Sequence, residues 1–133
     1  PSTPLYPFGF GLSYTRFAYS SLKLSHTRIS DKDSFTASIE LTNVGDREGT
    51  EVVQLYIRDI YSSATRPVKE LKDFARVTLK PGEKKTVTFT VTPDKLAYWN
   101  RNMQYGVEKG EFEIMIGSSS QDKDLKKVKM EVL

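Results

Sequence analysis

The chain has 133 residues, no cysteine, 28% charged residues and a formal net charge of +3. That length fits one domain, able to hide roughly two thirds of its unfolded surface in a core. The missing cysteines exclude disulfides, thiolate metal sites and thiol nucleophiles, and the mild, interspersed positive charge supplies no block for nucleic acid.

Residues 1–15, PSTPLYPFGFGLSYT, differ from everything after them. Three prolines and two glycines forbid a regular helix or a central strand. Leu5, Tyr6, Phe8, Phe10, Leu12 and Tyr14 nevertheless make the segment too apolar for a flexible linker, so it is expected to lie against a surface. The chain opens on Pro1, not Met, with no signal peptide, and is expected to be a processed form or a piece of something longer.

Residues 17–25 predict a first strand. Phe17 and Tyr19 share a face, but Leu22 and Leu24 are in the opposite phase. The switch at Ser20 and Ser21 predicts a bulge, or a strand that changes sheets. Residues 29–33 predict a turn. Then Phe35, Ala37, Ile39 and Leu41 alternate with Thr36, Ser38, Glu40 and Thr42, the period of a half-buried strand. Asn43, Val44, Gly45 and Asp46 break the run as a turn. The next strand has Val53, Leu55 and Ile57 on one face, and Gln54, Tyr56 and Arg58 on the other, with Val52 adding an apolar residue to the second face.

Residues 60–67 are polar and loop-like, with Tyr61 and Arg66 open to solvent. Residues 68–79 are extended again: Ala75, Val77 and Leu79 are in phase, and Leu71 and Phe74 are irregular before them. Lys80-Pro81-Gly82-Glu83 has the proline and glycine placement of a type II turn. Val87, Phe89 and Val91 alternate with Thr86, Thr88, Thr90 and Thr92 in the clearest strand of the chain. Pro93 suits the first position of a short helical turn over residues 93–96. Tyr98, Trp99 and Tyr105 flank a turn at 100–102. Phe112, Ile114 and Ile116 alternate with Glu111, Glu113 and Met115, residues 117–124 form a loop, and Val128, Met130 and Val132 close the chain.

About seven such strands, with turns every 8–12 residues, predict an all-β antiparallel sandwich of immunoglobulin-like topology. Gly110-Glu111-Phe112-Glu113-Ile114 sits where such domains often carry Gly-x-Tyr-x-Cys, here without the tyrosine hydroxyl or the cysteine. The core is expected to comprise Phe35, Ile39, Leu41, Val53, Leu55, Ile57, Val87, Phe89, Val91, Phe112, Ile114 and Ile116.

Candidate chemistry is sparse. Glu40, Glu51, Asp59, Glu111 and Glu113 could pair as glycosidase carboxylates, but all except Asp59 lie in or beside strands and are expected to point into water. Asp31, Asp33 and Asp46 sit in turns without the ligand count of a calcium loop. With a single histidine, His26, and no cysteine, a zinc site is not expected, and a lone surface histidine is more often plain than catalytic. Gly9 and Gly11 do not sit between a strand and a helix, as a phosphate loop requires. Lys80, Lys84, Lys85, Lys123, Lys126, Lys127 and Lys129 suit solvated strand faces and edges. No apolar run approaches the length of a membrane helix, so no membrane insertion is expected. Tyr61, Tyr98, Trp99 and Tyr105 could stack on sugar rings, although aromatics serve packing more often.

Four stretches in order carry a resemblance: PLYPFGFGLSYTRF (4–17), LTNVGDREGTEVVQLYIRD (41–59), RPVKELKDFARVTLKPGEKKTVTF (66–89) and VEKGEFEIMIGSSS (107–120). Together they resemble the C-terminal fibronectin type III-like domain of glycoside hydrolase family 3 enzymes, the β-glucosidases and β-xylosidases. The resemblance implies a non-catalytic module, because that family keeps its nucleophilic Asp in an upstream barrel and its acid/base Glu in a following α/β domain. It implies no catalytic residue, metal or cofactor on this chain, a parent hydrolysing terminal β-linked sugars, and export to the periplasm or cell exterior. Its partner would be the upstream catalytic domains. Residues 1–15 would form an interdomain strap, with Leu5, Tyr6, Phe8, Phe10, Leu12 and Tyr14 as contacts and at least two of its rings exposed within the chain. Residues 16–133 would be the sandwich. The alternative is a carbohydrate- or surface-binding module using Tyr61, Trp99 and Tyr105.

Overall fold

Alternation of apolar and polar residues builds two sheets that face each other across one core. The computed structural model describes residues 15–60, 69–99, 105–107 and 109–133. The expectations for Leu5 to Tyr14, for Tyr61 and Arg66, and for the turn at 100–102 therefore lie outside the described residues. One sheet has β4 (Phe35–Asn43) at its centre, with β7 (Lys84–Val91) on one side and both β1 (Phe17–Tyr19) and β2 (Lys23–Leu24) on the other. The second runs β3 (Arg28–Ile29), β11 (Leu125–Val132), β10 (Gly110–Gly117), β5 (Gly49–Asp59) and β6 (Glu70–Leu79). Every pairing is antiparallel except β3 with β11. A separate hairpin pairs β8 (Tyr98–Trp99) with β9 (Tyr105–Gly106).

The two sheets thus hold nine strands instead of about seven. The extra strands come from the first extended stretch. Tyr19 faces Leu41, but Lys23 faces Ser38, so the register slips by one residue between β1 and β2. That bulge turns Leu22 and Leu24 back toward the core and accounts for their phase. The chain then crosses to the other sheet, where β3 lies beside the end of β11 and Ile29 is buried. Residue 29 is therefore strand, and the predicted turn starts at Ser30, whose carbonyl accepts the Asp33 N–H.

All twelve residues expected in the core are buried there, joined by Leu22, Ile29, Val77, Leu79, Leu96, Met130 and Val132, among others. The turn at 80–83 also matches its sequence: Glu83 N–H donates to Lys80 O at 2.9 Å, and Gly82 has φ +79°, as a type II turn requires. Pro93 begins a one-turn helix, α1 (Pro93–Leu96). In β6 the register shifts where Leu55 faces Asp73 and Tyr56 faces Leu71. This irregularity separates the in-phase Ala75, Val77 and Leu79 from Leu71, and Phe74 points to solvent.

The outer face of the five-stranded sheet departs from the alternation. Val52, Gln54, Tyr56 and Met115 are buried, although their positions predict contact with water. The loop after β10 folds back over them: Gln54 Nε2 donates to Ser118 O at 2.9 Å, and Tyr56 Oη donates to Gln54 Oε1 at 2.6 Å. Tyr56, Met115 and Leu125 form a second, smaller apolar cluster on this side.

Between the sheets, Tyr19 Oη donates to the buried Glu51 carboxylate at 3.0 Å. Burial, then the facing Glu51 charge, push the Tyr19 phenol far above its ordinary range. With the folded pKa raised, the neutral phenol contributes stability below its unfolded value near ~10, and the contribution is lost as pH rises beyond it. Urea unfolding at about pH 9 and about pH 11 should therefore show a loss of stability that is smaller in Tyr19→Phe. Equal losses in the two proteins would count against the buried phenol as its source.

Candidate interdomain junction

Asn43 ends β4 and is 0% exposed, so every polar atom it carries must find a partner inside the protein. Its side chain makes four hydrogen bonds. Nδ2 donates to Arg47 O at 2.7 Å and to Leu79 O at 2.9 Å. Oδ1 accepts from Gly45 N–H at 3.0 Å and from Thr15 Oγ1 at 3.1 Å. Its backbone adds two more, taking the carbonyl of Glu83 and receiving the N–H of Gly82. One residue thus ties together the chain before β1, the turn between β4 and β5 and the end of β6 through its side chain, and the turn between β6 and β7 through its backbone.

Thr15 lies in a slot that only glycines leave open. A Cβ on Gly45 would come within 1.7 Å of Thr15 Oγ1, and one on Gly49 within 2.6 Å of Thr15 Cγ2. The next residue is held too, since Val44 N–H donates to Arg16 O at 2.9 Å. The ends of SYTRF and LTNVGDREG, far apart in sequence, meet at this point.

The same end of the molecule carries two connections, residues 44–48 and the turn 80–83, whereas the loop 118–124, with its 3-10 turn Asp122–Asp124, leaves β10 opposite Gln54 in the middle of β5 and lies over the outer face of that sheet. In that loop Ser119 Oγ donates to Asp124 Oδ2 at 2.7 Å and accepts the Gln121 N–H at 3.1 Å. Lys69 and Lys127 both reach the Asp122 carboxylate, and hydrogen bonds to these lysines hold its pKa below the ordinary aspartate range.

The other candidates fall differently. Leu5, Tyr6, Phe8, Phe10, Leu12, Tyr14 and Tyr61 lie outside the described residues, as do the side chains of Trp99 and Tyr105. The backbone does set Trp99 opposite Tyr105 in the small hairpin. Two of the five carboxylates do not point into water as expected. Glu51 is buried against Tyr19, and Glu113 is buried beside Arg58, whose Nη2 donates to Glu113 Oε1 at 2.8 Å. Each of these buried acids is engaged by a neighbouring side chain, because a carboxylate taken out of water needs a compensating donor. Glu40 stays exposed. His26 sits on the surface with Nδ1 3.1 Å from Ser25 Oγ. Among the described residues no group of three His, Asp or Glu side chains could hold a metal ion. Sequence reasoning saw Asn43 only as a turn residue. Its available signal was position: the last inward-phase residue of a strand, just before a Gly-containing turn.

Comparison with known proteins agrees with this architecture. The fibronectin type III-like domain family matches residues 51–120. A periplasmic β-glucosidase of Salmonella typhimurium is 50% identical over 117 residues, covering 88% of this chain and 15% of that protein. A β-xylosidase of Formosa agariphila is 51% identical over 130 residues, covering 98% of this chain and 18% of its own length. Among solved structures, a β-glucosidase of Erythrobacter marinus superposes with a TM-score of 0.88 and 42% identity, over 100% of this chain and 17% of that one. The chain therefore spans less than a fifth of these three relatives, between 15% and 18% of their length. It belongs to the fibronectin type III-like domain family.

Proposed function

We propose that this fibronectin type III-like domain is a non-catalytic structural module of a glycoside hydrolase family 3 enzyme, packing on its catalytic domains and stabilising them. The parent would hydrolyse terminal, non-reducing β-linked sugars. One observation carries the reading: nearly the whole chain aligns with β-glucosidases and a β-xylosidase, yet it accounts for only 15% to 18% of their length. A sandwich fold alone would not support this, since such folds serve many functions. The engagement of the buried Glu51 and Glu113 by Tyr19 and Arg58 fits a structural role for those acids. Residues 1–15 act as the strap to the preceding domain, with Leu5, Tyr6, Phe8, Phe10, Leu12 and Tyr14 as its contacts. The periplasmic relative supports a periplasmic or extracellular location for the parent. Among the described residues no helix is long and apolar enough to cross a membrane.

The purified chain should show no turnover of an aryl β-glucoside. Activity that survives repurification and disappears on mutating one carboxylate would overturn the reading. In the intact enzyme, Phe8→Ala combined with Phe10→Ala should lower thermal stability and activity together, while the same changes in this chain leave its fold intact. Neither loss in the enzyme would reduce the segment to a tether.

A further inference from the structure

We propose that the end of the sandwich around Thr15, formed by residues 44–48 and the turn 80–83, is the surface that seats against the upstream domain of the parent. This rests on the accessory-domain reading above and specifies which part of the sandwich makes the contact. Strand order fixes the geometry. The last residues of β4 and β6 and the first of β5 and β7 lie at this end, so two connections flank the point where Thr15 and Arg16 join the fold, whereas β10 ends opposite Gln54 in the middle of β5. The opposite end carries the turn at 30–33, α1 and the close of β11. On that reading the strap delivers the neighbouring domain to the Thr15 end.

The surface is built to dock without reordering. The turn 44–48 is braced from within by Asn43, and the turn 80–83 closes on itself through Glu83. Connections held this way lose little conformational freedom on contact, which lowers the cost of association. At the tip beside Arg16, Val44 is 49% exposed, an apolar side chain next to the exposed Asp46, Arg47 and Glu48. That arrangement suits a partner with a small apolar hollow rimmed by charges of both signs, as the core and rim of a protein–protein contact require.

Hydrogen–deuterium exchange on the intact enzyme and on this chain tests the assignment. Backbone exchange at 44–48 and 80–83 should slow by about tenfold or more in the enzyme, with 30–33 unchanged. Slowing at 30–33 or on the outer face of β4 and β7 instead would overturn the surface while leaving the accessory role standing. No slowing anywhere in the sandwich would overturn both. As a second arm, Val44→Asp with Arg47→Glu should lower the melting temperature of the enzyme but not of this chain, and Asp31→Lys should move neither. An equal shift in both forms, or none in either, overturns the proposal.

Discussion

Phe89→Ala should cost the chain about 3–5 kcal/mol of stability, the range for deleting a buried phenylalanine ring. Phe89 lies at the middle of β7, faces Ala37 across the β4 ladder and is 4% exposed. Its ring fills the space that a small cross-strand neighbour leaves, and it belongs to the cluster joining both sheets. Removing it takes away the transfer free energy of the ring and leaves a cavity that two hydrogen-bonded sheets cannot collapse to fill. Phe74→Ala is the matched comparison. That residue also sits in a long strand, but it is 51% exposed, and its truncation should fall within about 1 kcal/mol. Urea denaturation of the two variants reads the difference directly, with an unchanged slope showing that two-state unfolding persists. A loss under about 1 kcal/mol for Phe89→Ala would mean that β7 turns its other face to the core.

Asn43→Ala should be nearly as costly, at about 3–4 kcal/mol, for a different reason. The alanine removes little apolar packing. It strips partners from Gly45 N–H, Thr15 Oγ1 and the carbonyls of Arg47 and Leu79, of which the Leu79 bond is buried and the others are partly buried. Each buried polar group left unsatisfied costs on the order of 1–3 kcal/mol, partly relieved where the turn can open to solvent. The N-terminal root should loosen with it, so proteolysis near residue 15 should quicken before the sandwich unfolds. Asn43→Asp separates hydrogen bonding from size. Its carboxylate keeps the acceptor but faces two carbonyl oxygens it cannot donate to, so it should be at least as damaging at neutral pH. Burial raises such an acid's pKa, and the protonated form can donate once, so stability should partly recover as pH falls. An Asn43→Asp variant as stable as the parent sequence would show that the two Nδ2 bonds contribute little.

The period-two alternation in residues 35–42, 53–57, 87–91 and 112–116 determined the fold class and the inner faces of the strands. It did so because a strand sends successive side chains to opposite faces regardless of what packs on them. Local chemistry likewise settled the type II turn at Pro81-Gly82 and the one-turn helix at Pro93, where backbone restriction acts within a few residues. The phase switch at Ser20 and Ser21 announced a bulge, but only the pairing partner showed that the strand stays in one sheet before crossing to the other.

Tertiary structure alone decided what covers the outer faces. Gln54, Tyr56 and Met115 alternate like solvent-facing residues and are buried all the same, because the loop 118–124 returns over them. Glu51 and Glu113 were legible only as strand carboxylates. Their burial depends on Tyr19 and Arg58, and Tyr19 comes from the opposite sheet. Asn43 shows the limit most clearly. Its turn propensity is local, but its partners at Thr15 and Leu79 lie 28 and 36 residues away in the chain. Periodicity records the direction in which a side chain points; the partner it meets there is set by long-range packing, which no local pattern encodes.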